Sequence, residues 1–435
     1  MMYLLGVSGI MLGVALSIAL HEVGHLLPAK LFGVRVPQYM VGFGPTLWST
    51  RRGETEYGVK AIPLGGYVQM IGMYPPKAPG TGRFTWLADA ARDRSLAELE
   101  PGDESRVFYA LSAPRKAVIA LGGPTMNLLI AVLVFTGLYT LHGVARISPV
   151  LSTVAVCVDV HDPGKSLTAT CTPDMPRSPA ALAGLESGDR VVSINGTVLT
   201  TWDDAVPLVR ANADTPITLV VDRDGRTLTL TATPMAVSVP IYDENGQPRS
   251  DGNGAVLTEQ AGFLGASGIR ETVKQPITAV PGLIAAQIGQ TIKAVLGAPQ
   301  KMGGVVATVF TGRPRDAGGP ISVVGVGRLG GEVASAGAIG ATDKAVVLID
   351  MLGSLNLALF FLNLIPLPPL DGGHVAGALW EGIKRRGQRL LGHPDPGPVD
   401  VARALPITCA VVVLLILVSA LLAYADVTAP IHLTR

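Results

Sequence analysis

The feature that most constrains this chain is an uncharged apolar run that ends in His21-Glu22-Val23-Gly24-His25. Tyr3 to Leu20 is eighteen residues without a charge. At about 1.5 Å of rise per residue it covers most of a hydrocarbon layer ~30 Å thick. Within a helix His21 and His25 lie four apart on one face and can hold one Zn²⁺ through imidazole. Glu22 then projects beside the metal, where a carboxylate can activate water. A charge at bilayer depth costs about 2.5 to 3.5 kcal/mol on insertion scales, so polar residues in such a helix are expected to serve chemistry. A run of helix-end residues at the interface is the weaker alternative.

The rest of the composition fits a membrane setting. Of 435 residues 48% are hydrophobic and only 15% charged, well to the apolar side of soluble averages. A net charge of +1 with no Lys/Arg stripe excludes a nucleic-acid role resting on bulk electrostatics. The three cysteines, Cys157, Cys171 and Cys409, form no Cys-x-x-Cys pair, so a thiolate metal site is not expected. Cys157 and Cys171 fall in one region, and a bridge and two free thiols are both open. The first segment lacks a basic leader and an Ala-x-Ala site, so it reads as a retained helix. Pro28 marks where that helix kinks or stops.

Three further apolar runs follow, at Ala117 to Leu141, Met351 to Leu370 and Ala404 to Ala425. In the second, Gly122-Gly123-Pro124-Thr125-Met126-Asn127 lets helices approach closely, and Asn127 can hydrogen-bond across them. Residues 33 to 73 carry Gly-rich, partly alternating hairpin grammar, and 75 to 106 read as a solvated loop with a short surface helix. The 30–116 connection carries twelve Lys/Arg and the 372–403 connection five, against sixteen over the much longer 143–344. Positive-inside bias then puts the first two in the cytoplasm and the long segment, with the N-terminus, outside.

Spans one and three thus run parallel, and counting along them puts His21 and Asp371 at similar depth near the cytoplasmic face. That makes Asp371 a candidate third ligand. Its setting is Asn363-Leu364-Ile365-Pro366-Leu367-Pro368-Pro369-Leu370-Asp371-Gly372-Gly373-His374. Three prolines in four positions break the helix, which is tolerated at membrane depth only where protein or a cavity lines the break, and such a break can aim a carboxylate sideways. His374 is a rival ligand, and a proline-broken transporter helix a rival explanation.

HEVGH in a first span, Gly42-Phe43-Gly44-Pro45, Pro63-Leu64-Gly65-Gly66-Tyr67 and Asn363-x-x-Pro366-x-Pro368-x-x-Asp371-Gly372 together resemble the site-2 protease family of intramembrane zinc metalloproteases. The resemblance implies a Zn²⁺ site of His21, His25 and Asp371 with Glu22 as general base. It also implies a membrane-associated β-hairpin or re-entrant loop at 42–73 that receives substrate as an added strand. Gly42, Gly44, Gly65 and Gly66, with Asn363, Pro366 and Pro368, are then the substrate-binding candidates. Chain order resembles the bacterial branch that cleaves anti-sigma factors in regulated intramembrane proteolysis. It departs from the proteobacterial members in having room for one PDZ domain, as actinobacterial versions do.

That module reads from its own residues. Ser178 to Gly196 gives a turn, a short strand and a tight Asn195-Gly196 turn. Trp202 to Arg210 is helical, and Ile217 to Leu230 is two alternating strands about Asp224-Gly225. Its glycine spacing resembles PDZ domains, which bind an extended peptide at a sheet edge, so a peptide C-terminus is an expected partner there. A purely structural β module is the alternative.

The expected fold class is a polytopic α-helical membrane protein with four transmembrane helices, the β-hairpin or re-entrant loop, and an extracytoplasmic β-rich PDZ domain. The expected divisions are 1–145 (N-terminal membrane region), 150–237 (PDZ), 238–344 (linker at 240–262, then a surface helix from Gly268 to Val309) and 345–435 (C-terminal membrane region). The expected activity is zinc-dependent endopeptidase cleavage within transmembrane segments of pre-trimmed proteins such as anti-sigma factors. The expected partners are those substrates and membrane lipid, with no nucleic acid. The expected location is the cell membrane, with the site near the cytoplasmic side. A metal or proton transporter would show more spans and an internal repeat, and an inactive scaffold would not need Glu22.

Overall fold

A computed structural model describes residues 1–76, 86–159, 171–241, 249, 256–312, 315–316, 318–337 and 340–431. Most of the expected 240–262 linker and part of the 75–106 loop lie outside these residues. The chain divides into a unit of Met1–Thr140 with Pro276–Arg435 and a second unit of Leu141–Gln275.

In the first unit α1 (Met2–Leu31) leads into the paired strands β1 (Gln38–Arg52) and β2 (Thr55–Gln69), then α2 (Trp86–Ala97) and α3 (Ala113–Gly137). The β1–β2 sheet is more folded than a plain hairpin. Gln38 to Val41 is flanked on one side by Glu56 to Val59 and on the other by Gly66 to Gln69, which forms an outer edge. The bends that allow this fall at Gly42, Gly44 and Gly65, all at positive φ. Tyr39 on β1 donates to the Ala19 carbonyl of α1 at 2.7 Å and so fastens the sheet beside the HEVGH turn. Burial first, then the charges of Glu22 and Tyr57, pushes the Tyr39 hydroxyl up to about 12, so it keeps its proton and goes on donating.

In the second unit β3 (Val144–Val154), α4 (Pro179–Leu182), β4 (Arg190–Ile194), β5 (Thr197–Val198), α5 (Trp202–Arg210), β6 (Ile217–Arg223), β7 (Arg226–Ala232), β8 (Met235–Pro240), β9 (Thr258–Phe263) and β10 (Ala266–Val273) follow in order. The sheet order is β10-β3-β4-β6-β7 with β5 on β4, and β8 pairs with β9. Inward residues of the alternating strands, among them Leu151, Ile194, Ile217, Leu219 and Val221, close a core with Trp202 and Ala205 of α5. Asn195-Gly196 and Asp224-Gly225 turn with positive φ, as their residue types require. Cys157 and Cys171 form a disulfide.

Returning to the first unit, α6 (Val280–Thr311), α7 (Val323–Ser335), α8 (Ala341–Asn363), α9 (Asp371–Leu390) and α10 (Leu405–Thr428) complete the chain. Among the described residues four helices are long and apolar enough to cross a membrane: Met2–Leu31, Ala113–His142, Ala341–Asn363 and Val401–Thr428.

Several boundaries differ from the sequence expectation. The third span begins at Ala341 and stops at Asn363, because Pro366, Pro368 and Pro369 cannot continue it; Asp371 opens α9 instead of closing α8. Gly268 to Val273, expected to begin a helix, instead lies in the strand Ala266–Val273, which pairs along β3 from Ala266↔Val154 to Val273↔Val144. The β-rich unit therefore runs beyond 150–237 at both ends. Pro28 does not stop α1, which continues to Leu31.

Candidate metal centre and substrate cavity

His21 and His25 lie one turn apart on α1, and the break before α9 brings Asp371 against both. His21 Nε2 and His25 Nε2 are 3.3 Å apart. Asp371 Oδ2 is 3.3 Å from His21 Nε2, and Asp371 Oδ1 is 3.3 Å from His25 Nε2. A tetrahedral Zn²⁺ with N and O ligands at about 2.0 to 2.1 Å has its ligands roughly 3.3 Å apart, the spacing of the two imidazole nitrogens and of each from its facing carboxylate oxygen, and one donor atom from each residue lies within 4.8 Å of the others. The tautomer fits as well. His25 Nδ1 is 2.8 Å from the Ile119 carbonyl of α3, which can only accept, so Nδ1 carries the proton and Nε2 offers its lone pair.

What lets α3 come this close is glycine. A Cβ on Gly122 would lie 1.9 Å from the Gly24 carbonyl oxygen, and one on Gly24 would lie 2.3 Å from that of Gly122. Pro28, four residues after Gly24, has no N–H to offer that carbonyl, which frees it to face α3. A Cβ on Gly123 would lie 2.3 Å from His25 Nε2 and 2.6 Å from His21 Nε2, so this position must be empty of side chain for the donor atoms to converge. Sequence reasoning took this glycine pair for helix packing and missed that Gly123 faces the ligands. Its spacing from the motif carried no signal of that.

The α8–α9 break is shaped by small residues too. A Cβ on Gly372 would meet the Ile365 carbonyl oxygen at 2.3 Å, and one on Gly373 the Pro368 nitrogen at 2.6 Å, so Gly-Gly lets α9 begin folded back on the proline turn.

A cavity of about 320 Å³ opens on the cluster, lined by Glu22, His25, Gly66, Val68, Met70, Asn363, Asp371 and His374 among others. A second, of about 200 Å³, shares His21, Glu22, Gly66 and Asn363 with it and adds Gly65. Glu22 is buried and sits where the two meet. A Cβ on Gly66 would lie 2.7 Å from Glu22 Cγ, so the outer strand edge passes directly beside the carboxylate. Of the substrate-binding candidates, Asn363, Gly65 and Gly66 line these cavities, whereas Gly42, Gly44, Pro366 and Pro368 line neither and instead bend the backbone. His374 lines the larger cavity, and the convergent donor group among the described residues is His21, His25 and Asp371.

Residues 9–391 match the model of peptidase family M50. The chain is 33% identical over 444 residues to the zinc metalloprotease Rip1 of Mycobacterium tuberculosis (strain ATCC 25618 / H37Rv), with 100% of both chains covered. It is 31% identical over 450 residues to Rip1 of Mycolicibacterium smegmatis, again with 100% of both covered. To the metalloprotease MmpA of Caulobacter vibrioides it is 26% identical over 406 residues, with 88% of each covered.

Proposed function

The chain belongs to peptidase family M50 and is a zinc-dependent intramembrane endopeptidase, and we propose that His21, His25 and Asp371 hold its metal while Glu22 is its general base. The observation that carries this assignment is the convergence of the two Nε2 atoms, 3.3 Å apart, on the Asp371 carboxylate, one oxygen 3.3 Å from each, with Glu22 lining the same cavity. Bound there, Zn²⁺ supplies Lewis acidity toward a scissile carbonyl and toward water. Glu22 takes a proton from the attacking water and returns it to the leaving amine nitrogen. Asn363, common to both cavities, holds the substrate backbone beside Glu22. The outer edge Gly66 to Gln69 offers unpaired backbone to which an unwound substrate segment adds as a strand. Unwinding is required because a helix keeps its carbonyls in its own hydrogen bonds.

The assignment is tested by metal analysis with a cleavage assay on purified protein. His21→Ala, His25→Ala and Asp371→Ala each lose zinc and cleavage together, whereas His374→Ala keeps its zinc. Stoichiometric zinc in Asp371→Ala would remove that residue from the site.

The finer reading is regulated intramembrane proteolysis of pre-trimmed membrane proteins such as anti-sigma factors. The β-rich unit is read as an extracytoplasmic PDZ domain that takes a peptide C-terminus. The Lys/Arg asymmetry and the Cys157–Cys171 disulfide both support an exterior setting for it. Single cysteines at Asp89 and Asp224, in a Cys409→Ser chain, separate the two orientations: only Asp224→Cys is labelled in intact cells by an impermeant reagent. Labelling at position 89 would invert the topology. Cells carrying Glu22→Gln accumulate the trimmed substrate, and a membrane proteome with no accumulated anti-sigma factor would sink that substrate class.

A further inference from the structure

The smaller cavity is not a plain extension of the larger one. Its lining beside Glu22 includes Ser17 on α1 and Asn127 on α3. Ser17 is four residues before His21, and Asn127 four after Gly123, so each stands one helical turn from the metal cluster, on the side away from Pro28. Asn127 is 1% exposed, and its side-chain oxygen has no hydrogen-bond partner. Ser17, also buried, is held by Asn356, whose Nδ2 donates to Ser17 Oγ at 2.9 Å. An acceptor left unpaired in an apolar interior costs about 1 to 3 kcal/mol, so Asn127 gains from a donor that arrives only with substrate. The larger cavity, by contrast, has Val68, Met70, Met73, Phe108 and Ile119 in its lining.

From this contrast we infer that the Asn127 cavity is a specificity pocket for one substrate residue next to the scissile bond, and that it selects a side chain able to donate a hydrogen bond. The inference rests on the reading of Glu22 as base, since Glu22 fixes which bond is cut. A substrate strand laid along Gly65 to Gln69 passes Glu22 with one neighbouring residue beside Gly65 and Gly66 and another beside Val68. The first faces Asn127 and the second the apolar wall. At about 200 Å³ the cavity has room for serine, threonine or asparagine and does not exclude larger side chains, so its selectivity rests on the hydrogen bond to Asn127 and not on size. Asn127 acts as a specificity-determining residue, not a catalytic one. A pocket that pairs a buried acceptor disfavours the isostere lacking the donor by about the net worth of one hydrogen bond.

The test uses the purified full-length zinc enzyme and one transmembrane substrate whose cleaved bond has been mapped. Each position within two residues of that bond is made threonine or its isostere valine. Wild type prefers threonine at one position by roughly 3- to 10-fold in kcat/KM, the range expected for one hydrogen bond. Asn127→Leu abolishes or reverses that preference, a change that mere loosening of the fold would not produce. If wild type shows no threonine preference at any position, or Asn127→Leu retains it, the pocket assignment is overturned. The wild-type comparison stands even if Asn127→Leu does not fold. Cleavage by Glu22→Gln run in parallel would overturn the base assignment instead, so the two failures are told apart.

Discussion

In the helical unit the deciding residues are polar groups in apolar surroundings: His21, Glu22, His25 and Asp371 stand out because almost nothing near them in sequence is charged. In the β-rich unit the deciding residues are apolar ones in polar surroundings, Leu151, Ile194, Leu219 and Val221, which recur at alternate positions and specify a core. The first kind of residue declares chemistry, because burying it without a purpose is costly. The second declares architecture and leaves the ligand of the module unstated. Glycine marks the difference as well. In the helical unit Gly24, Gly122 and Gly123 exist for close approach, whereas in the β-rich unit Gly196 and Gly225 exist for turns at positive φ.

The largest effect that would break this contrast is at Gly123. Gly123→Ala puts a methyl group among the donor atoms and lowers zinc affinity by roughly 100-fold, at the upper end for groups that orient ligands. Metal analysis of purified protein reads the loss, and hydrogen exchange across 141–275 stays unchanged. Wild-type zinc content in Gly123→Ala would show that the His21–His25 geometry is not what the glycine protects.

A smaller effect sharpens the other side. Arg223 Nε and Nη2 donate to Asp189 Oδ1 and Oδ2 at 2.7 and 2.8 Å. Burial alone would raise the Asp189 carboxyl, but these bonds and the Glu186 N–H hold it below the usual carboxylate range. A carboxyl whose folded value is depressed contributes stability at pH above its unfolded value, about 3.9, and that contribution is lost as pH falls through the folded value. Asp189→Ala therefore lowers the local opening free energy of β4 and β6 by about 1 to 3 kcal/mol at pH 7, and the difference from wild type shrinks in acid. Hydrogen exchange of the full chain measures it, while zinc content stays at wild-type level. A difference that does not change with pH would remove the ion pair as its cause.

Much of this was legible in the sequence, and the misses have physical causes. His21, Glu22 and His25 are local, so helical period alone groups them. Asp371 was singled out by counting depth along a straight third span from Met351, yet that helix runs from Ala341 to Asn363 and Asp371 reaches the histidines as the first residue of a restarted helix. The proline break, not the straight-helix count, is what brings the carboxylate to the imidazoles. Strands β9 and β10 were missed because their partners, β8 and β3, lie far away in sequence or beyond weakly patterned residues, and pairing overrides the small helical preference of such segments. The convergence of Gly123 on the imidazoles depends on the α1–α3 crossing, which no single-chain periodicity encodes.

The most direct test of the central claim separates holding the metal from using it. Glu22→Gln keeps the size of the side chain and leaves His21, His25 and Asp371 untouched. Purified Glu22→Gln protein should contain zinc at the wild-type ratio and cleave a transmembrane substrate slower by roughly 10²- to 10⁴-fold, the range for loss of a positioned general base. Wild-type cleavage by Glu22→Gln, or loss of its zinc, would contradict the division of roles between Glu22 and the three ligands.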